Sequence, residues 1–321
     1  MKKKMPRSIE ASAPILVTMG EPAGVGPEVA IAAFHALGGQ AGGRPLRLVG
    51  DPDVFRACGA VPDAALMATR AVAAKRAAGK PDPANALAVT EAIETAVDMA
   101  EKGAAAAIVT APIHKASMIA GGFSFPGHTE FLQSITGADR AAMMLVGGGL
   151  RVVPLTIHMA LREVPAAITT VAVEETGDVV LAALTRDYAI AKPRLAVAGH
   201  NPHAGESGEL GKEDAAHIAP AVEALRAGGH DVRGPLSADS MFHAEARARY
   251  DAALCMYHDQ ALIPIKMLAF WEGVNVTLGL PIVRTSPDHG TALDIAGTGK
   301  ADPRSMIAAI ELAAEIADAR G

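Results

Sequence analysis

The stretch 85–110, NALAVTEAIETAVDMAEKGAAAAIVT, decides the fold class. Its apolar residues Val89, Ile93, Ala96, Val97 and Ala100 recur at helical spacing, which predicts a helix over 85–102, and Gly103 supplies the stop. The run Ala106–Val109 that follows is too short for a helix and reads as a strand. A helix handed directly to a short apolar strand is the unit of an α/β fold with a largely parallel sheet.

Working outward, the same alternation recurs. Upstream, Ile15–Met19 reads as a strand, followed by the turn GEPAGVGPE (20–28), a helix from about Pro27 and a second strand, Leu46–Val49. The turn lacks the spacing of GxGxxG and carries two prolines, so it reads as a rigid strand-to-helix turn near the site. Downstream, Met143–Val146 and Val152–Ile157 flank Gly147-Gly148-Gly149, which predicts a hairpin inside the parallel design. Strands Leu195–Ala198 and Ala253–Met256 follow, each with a helical segment, and the last helix is expected over Ser305–Ala319.

Composition sets limits on function. Half of the 321 residues are hydrophobic but only 3% are aromatic, so the core must be built from Ala, Val, Leu, Ile and Met. A net charge of -6 gives no case for nucleic acid or for an anionic membrane surface. Cys58 and Cys255 form no CxxC pair and read as small buried hydrophobes. The basic start Met1-Lys2-Lys3-Lys4 is followed by no apolar stretch, and no run of about 18 apolar residues occurs. A soluble, cytoplasmic protein with a frayed N-terminus is expected.

The histidines are informative by placement. His158 follows the run Val152–Ile157, His203 lies in the loop after Leu195–Ala198, and His258 closes the segment after Ala253–Met256. Ligands of open α/β sheets bind beyond the carboxyl ends of strands, so three such histidines are placed to converge on one divalent metal. Each alone reads equally as a hydrogen-bonded structural histidine. No HExxH is present. In Phe125-Pro126-Gly127-His128-Thr129-Glu130, Thr129 is placed to cap a helix whose free N–H groups suit an anion. Lys266, Asn275 and Arg284 lie within 265–285, where Arg284 suits forked pairing with carboxylate or phosphate; singly, each also reads as a solvated surface residue.

At these residues the chain resembles the 4-hydroxythreonine-4-phosphate dehydrogenase family along nearly its whole length. The matching segments are GEPAGVGPE (20–28), TAPIHK (110–115), GHTEFL (127–132), NPHAGE (201–206), MYHDQ (256–260) and the long run 273–302, in that order. The resemblance implies His158, His203 and His258 as metal ligands (zinc, cobalt or magnesium). It implies His128, Thr129, Lys266, Asn275 and Arg284 as substrate residues. The tail 288–297 is also similar to the adenosine-binding loop of isopropylmalate and isocitrate dehydrogenases, which implies His289, Gly290 and Asp294 at a bound NAD, with NADP as the alternative.

The fold implied is of the isocitrate/isopropylmalate dehydrogenase type, with two α/β/α domains and a cleft between them. One domain is expected from 1–135 with 285–321, the other from 136–284. The reaction implied is oxidation of 4-phosphohydroxy-L-threonine to a 3-keto acid that loses CO2, giving 3-amino-2-oxopropyl phosphate in vitamin B6 synthesis. A homodimer is also implied, its site taking His158 and His203 from one chain and His258 from the other. Asp259 and Asp239 stand open as proton acceptor or as partners orienting an imidazole. Two rival readings of the histidines are a zinc hydrolase and a non-catalytic metal- or phosphate-binding protein; neither needs the adenosine loop. Within the dehydrogenase reading, 4-phosphothreonate and 4-phosphoerythronate are rival substrates.

Overall fold

A computed structural model describes residue 10 and residues 12–321. The expectation for Met1–Lys4 lies outside the described residues. Two compact units emerge: residues up to 139 together with 280–321, and residues 140–279.

The first unit begins with β1 (Ile15–Thr18), β2 (Gln40–Ala41), β3 (Arg44–Gly50), β4 (Leu66–Ala68) and β5 (Ala107–Thr110). The second carries β6 (Ala142–Gly147), β7 (Leu150–Pro154), β8 (Arg194–Ala198), β9 (Asp231–Leu236), β10 (Ala252–Cys255) and β11 (Val274–Leu278). The chain then returns to the first unit with β12 (Arg284–Pro287).

In the first unit β3, β1, β5 and β12 run parallel in that order, with Ile15 opposite both Leu46 and Ala107. All residues of β1, β5 and β12 are buried, as expected for strands covered on both faces. The helix Ala86–Glu101 turns Val89, Ala92, Ile93, Ala96 and Val97 inward, and Gly103 at φ +75° ends it. Complete burial of Val89 and Ile93 contributes roughly 1.5–3 kcal/mol each. The strand after β1 in the sequence-to-sheet path pairs on one side of it and β5 on the other, so the winding reverses between β1 and β5. That reversal opens a crevice beyond their carboxyl ends, the usual place for a ligand in an open α/β sheet.

In the second unit the order is β11-β6-β7-β10-β8-β9. β10 lies between β7 and β8, parallel to both. The hairpin is present: β6 and β7 are antiparallel, and Gly148 and Gly149 turn the chain at φ +56° and +72°. Two consecutive positive φ values are what the tightest hairpin turn demands, and glycine supplies them without strain. The run Val152–Ile157 is not one strand, however. β7 stops at Pro154, and the next amides turn to β10, with Leu155 donating to the Cys255 carbonyl (2.7 Å) and Thr156 to that of Met256 (3.3 Å). His158 therefore sits four residues beyond its strand rather than directly after it. The closing helix spans Arg304–Arg320, and among the described residues no helix is long and apolar enough to cross a membrane.

Candidate active site

The three strands whose ends carry His158, His203 and His258 are neighbours with parallel direction, so their carboxyl ends share one edge of the second unit's sheet. Two of the rings meet there: the centroids of His158 and His258 are 5.8 Å apart. His203 does not join them; among the described residues no cluster of three His, Cys, Asp or Glu is arranged to hold a metal.

His258 is oriented by its neighbour. Its Nδ1–H donates to Asp259 Oδ1 at 2.7 Å. A carboxylate only accepts, so this bond places the proton on Nδ1 and leaves the Nε2 lone pair for a ligand. Asp259 is therefore a partner of the imidazole. Asp239, the other candidate, is exposed and accepts from the Ser237 hydroxyl (2.7 Å). Gln260 secures the segment from behind: buried, it accepts from Met256 N and donates to the Gly199 carbonyl, both at 2.7 Å. One side chain thereby ties the end of β10 to the end of β8.

The loop bearing His203 has an unusual backbone. His203, Ala204, Gly205, Glu206 and Ser207 all have positive φ, between 41° and 79°, a left-handed turn in which only one residue is glycine. Such a conformation costs an L-residue about 1–2 kcal/mol, so four of them need substantial compensation. Asp214 supplies it. Almost wholly buried, its carboxylate accepts from His200 N (2.7 Å), Asn201 N (3.1 Å) and Asn201 Nδ2 (2.8 Å). Asn201 Nδ2 also donates to Glu213, which holds that carboxyl below the usual range. Sequence reasoning missed Asp214 altogether, whereas Gln260 stood inside a quoted motif without an assigned role.

Of the remaining expected residues, Lys266 and Asn275 lie in the second unit. Lys266 stands two turns along the helix His258–Ala269, its ammonium 5.5 Å from the Phe270 ring centre. Asn275 sits opposite Leu145 in β11, and its Oδ1 is buried with no hydrogen-bond partner among the described residues.

The first unit holds His128, Thr129, Arg284, His289, Gly290 and Asp294. Arg284 is buried, and its Nε and Nη2 donate to Thr110 Oγ1 at 3.1 and 2.6 Å. Burial pushes its pKa down to about 9, which leaves it cationic at neutral pH. His128 Nε2 is shut off from solvent without a partner. Burial first, then the charges of Arg284 and Lys115, hold this imidazole well below its usual pKa, so it is neutral. Thr129 does not cap: the helix His128–Thr136 has Gly127 as N-cap and no side-chain cap.

The glycine turn after β1 is clamped from two sides. Glu21, buried, accepts from Ala23 N (3.1 Å) and from the Ser117 hydroxyl (3.2 Å), while its own amide donates to Pro112 O. Glu28 pairs with Arg76 and accepts from Gly297 N (2.7 Å), and Val25 N donates to Thr291 O (3.0 Å). The tail loop is thus seated on the turn. Within it His289 Nδ1–H donates to the Gly290 carbonyl (2.9 Å), leaving a buried, unpartnered Nε2, while Gly290 and Asp294 are exposed.

Comparison with known proteins follows the same residues. Residues 50–313 match the family model described as pyridoxal phosphate biosynthetic protein PdxA. A 4-hydroxythreonine-4-phosphate dehydrogenase of Roseobacter denitrificans is 53% identical, the match covering 96% of this chain and 98% of the relative. The same enzyme of Caulobacter vibrioides is 50% identical, covering 97% and 99%. Among solved structures, that of 4-hydroxythreonine-4-phosphate dehydrogenase from Klebsiella pneumoniae superposes with a TM-score of 0.83 at 38% identity, covering 95% of this chain and 100% of that one.

If Asp214 offsets the left-handed turn, removing its carboxylate strands buried N–H groups. Asp214→Ala should cost about 3–4 kcal/mol in urea denaturation, at roughly 1–3 kcal/mol per unsatisfied group. A loss under about 1 kcal/mol would show that the loop holds without it.

Proposed function

Because the chain belongs to the PdxA family of pyridoxal phosphate biosynthetic proteins, we propose that it oxidises 4-phosphohydroxy-L-threonine as a metal- and NAD-dependent dehydrogenase. The observation that carries the reading is the state of the substrate and cofactor residues. His128 Nε2, Asn275 Oδ1 and His289 Nε2 are buried polar atoms without partners among the described residues, and a bound ligand would supply the partners that such atoms need.

In the reaction the C3 hydrogen leaves as hydride and the hydroxyl loses its proton, giving a 3-keto acid. The C1–C2 bond then breaks, CO2 departs, and C2 takes a proton to give 3-amino-2-oxopropyl phosphate. Bound at the three histidines, a divalent ion (zinc or cobalt by softness, with magnesium the harder alternative) would acidify the hydroxyl and polarise the ketone, and the nicotinamide would accept the hydride. The chain's own part is to hold and orient. His158, His203 and His258 would be the ion's ligands, with Asp259 setting the His258 tautomer. Arg284, cationic inside the protein, would hold an anionic group of the substrate beside neutral His128 and Thr129, and Lys266 with Asn275 would hold the other.

For the cofactor, His289 Nε2 can accept a hydrogen bond and Gly290 keeps the tail loop bare. The exposed carboxylate of Asp294 would take ribose hydroxyls and repel a 2′-phosphate, favouring NAD over NADP. A homodimer is proposed as well, with a cytoplasmic location. Its support is the apolar stripe Ile263, Met267, Phe270 and Trp271, all exposed, on the helix bearing His258 and just past it. In that dimer His158 and His203 of one chain would be joined by His258 of the partner chain, the grouping that the family resemblance implies.

The substrate reading is tested by NADH formation at matched concentrations of 4-phosphohydroxy-L-threonine and 4-phosphothreonate, with NADP in parallel. The amine-bearing substrate and NAD should each give at least tenfold higher kcat/KM. Preference for 4-phosphothreonate would move the enzyme to sugar-acid oxidation.

The dimer is tested by mixing inactive variants under exchange conditions. His203→Ala with His258→Ala should regain activity, because one site of each hybrid is intact. His158→Ala with His258→Ala should regain it too, whereas His158→Ala with His203→Ala should stay dead. Hybrids of the first two pairs that form without activity would refute a shared site, and activity in the third pair would separate His158 from His203.

A further inference from the structure

The motif 110–115 does more than hold Arg284. Thr110, at its start, receives the buried guanidinium. At its end, His114 Nδ1 is 3.0 Å from the Ser117 hydroxyl, and that hydroxyl reaches Glu21 of the glycine turn. This network fixes the backbone just before Lys115. Lys115 itself is exposed and makes no ion pair or hydrogen bond among the described residues. Its ammonium nevertheless has a defined place: Nζ lies 3.5 Å from where a Cβ on Gly127 would stand. Gly127 is the N-cap of the nine-residue helix His128–Thr136, which no side chain caps.

We propose that Lys115 is a further substrate-binding residue, which together with Arg284, His128 and the uncapped amides of helix His128–Thr136 holds the phosphate of the substrate. The inference rests on the substrate reading above. The charge balance favours phosphate over carboxylate. A phosphate monoester carries about −1.5 to −2 at neutral pH, which calls for more than one cation. Lys115 and Arg284 supply two, and the helix terminus adds roughly half a charge. The absent side chain at Gly127 leaves the approach to Lys115 open. The effect of the Lys115 charge on His128 shows that ammonium and imidazole share one local field. Glu130 also reaches this place, its Oε2 3.4 Å from the same Cβ position, and opposes an anion. Its removal should therefore strengthen binding.

The probe is inorganic phosphate, titrated by calorimetry onto the full-length protein with no substrate present, for wild type, Lys115→Met, Lys115→Arg and Glu130→Gln. Lys115→Met should weaken phosphate roughly ten- to a hundredfold, the loss of one charged hydrogen bond, with Lys115→Arg recovering most of it. Glu130→Gln should tighten it two- to threefold, and the melting temperature of Lys115→Met should stay near wild type. In turnover, Lys115→Met should lower the preference for phosphorylated over unphosphorylated hydroxythreonine, mainly through KM. Equal phosphate affinity in wild type and Lys115→Met overturns the assignment. Weakened phosphate binding in a protein whose wild type does not turn over 4-phosphohydroxy-L-threonine would uphold Lys115 and refute the substrate reading instead.

Discussion

Where a parallel strand leaves its sheet, the backbone N–H groups of the next few residues have no ladder partner, and burial forbids leaving them unmet. Much of this protein is arranged around that constraint. Asp214 meets the amides after β8, Gln260 meets Met256 N after β10, and Glu21 meets Ala23 N after β1. Each of these side chains makes a second bond, and the second bond joins one strand-end loop to another residue of its unit. Gln260 reaches Gly199, and Glu21 takes the Ser117 hydroxyl. Satisfying the backbone is thus the same act as fixing the loops that present His203, His258 and Lys115.

The left-handed turn at His203–Ser207 shows the cost of this design. A conformation unfavourable for four non-glycine residues persists because a buried carboxylate outweighs it with charge-assisted hydrogen bonds of about 1.5–3 kcal/mol each. In the first unit the problem is reversed. There a guanidinium is kept inside, and the imidazole beside it stays neutral because burial and two nearby cations disfavour its protonation. A neutral imidazole adds hydrogen-bonding capacity without a further charge that would have to be neutralised when no anion is bound.

The main strands and helices were legible because apolar periodicity reports burial, as in Ala86–Glu101, and because Gly148-Gly149 has few alternatives to a tight turn. The end of β7 was not legible: an apolar run continues through Ile157, but Pro154 and the pull of β10's carbonyls end the ladder earlier. Placement at strand ends singled out the histidines, yet spacing along the chain says nothing about which rings meet, and His158 turned out to face His258. Residue type alone places Thr129 as a cap, whereas the helix begins two residues earlier than that cap implies and leaves Gly127 at that position. Asp214 carried no local signal, since its partners lie thirteen and fourteen residues away and only the folded loop brings them to it.

The central claim is that three strand-end histidines hold one divalent ion. It is tested most directly by diffraction from crystals of the metal-loaded protein, collected on both sides of the metal's absorption edge. The account predicts an anomalous peak within about 2.0–2.1 Å of ring nitrogens of His158, His203 and His258. A peak ligated by carboxylates, or by histidines other than these three, would contradict it.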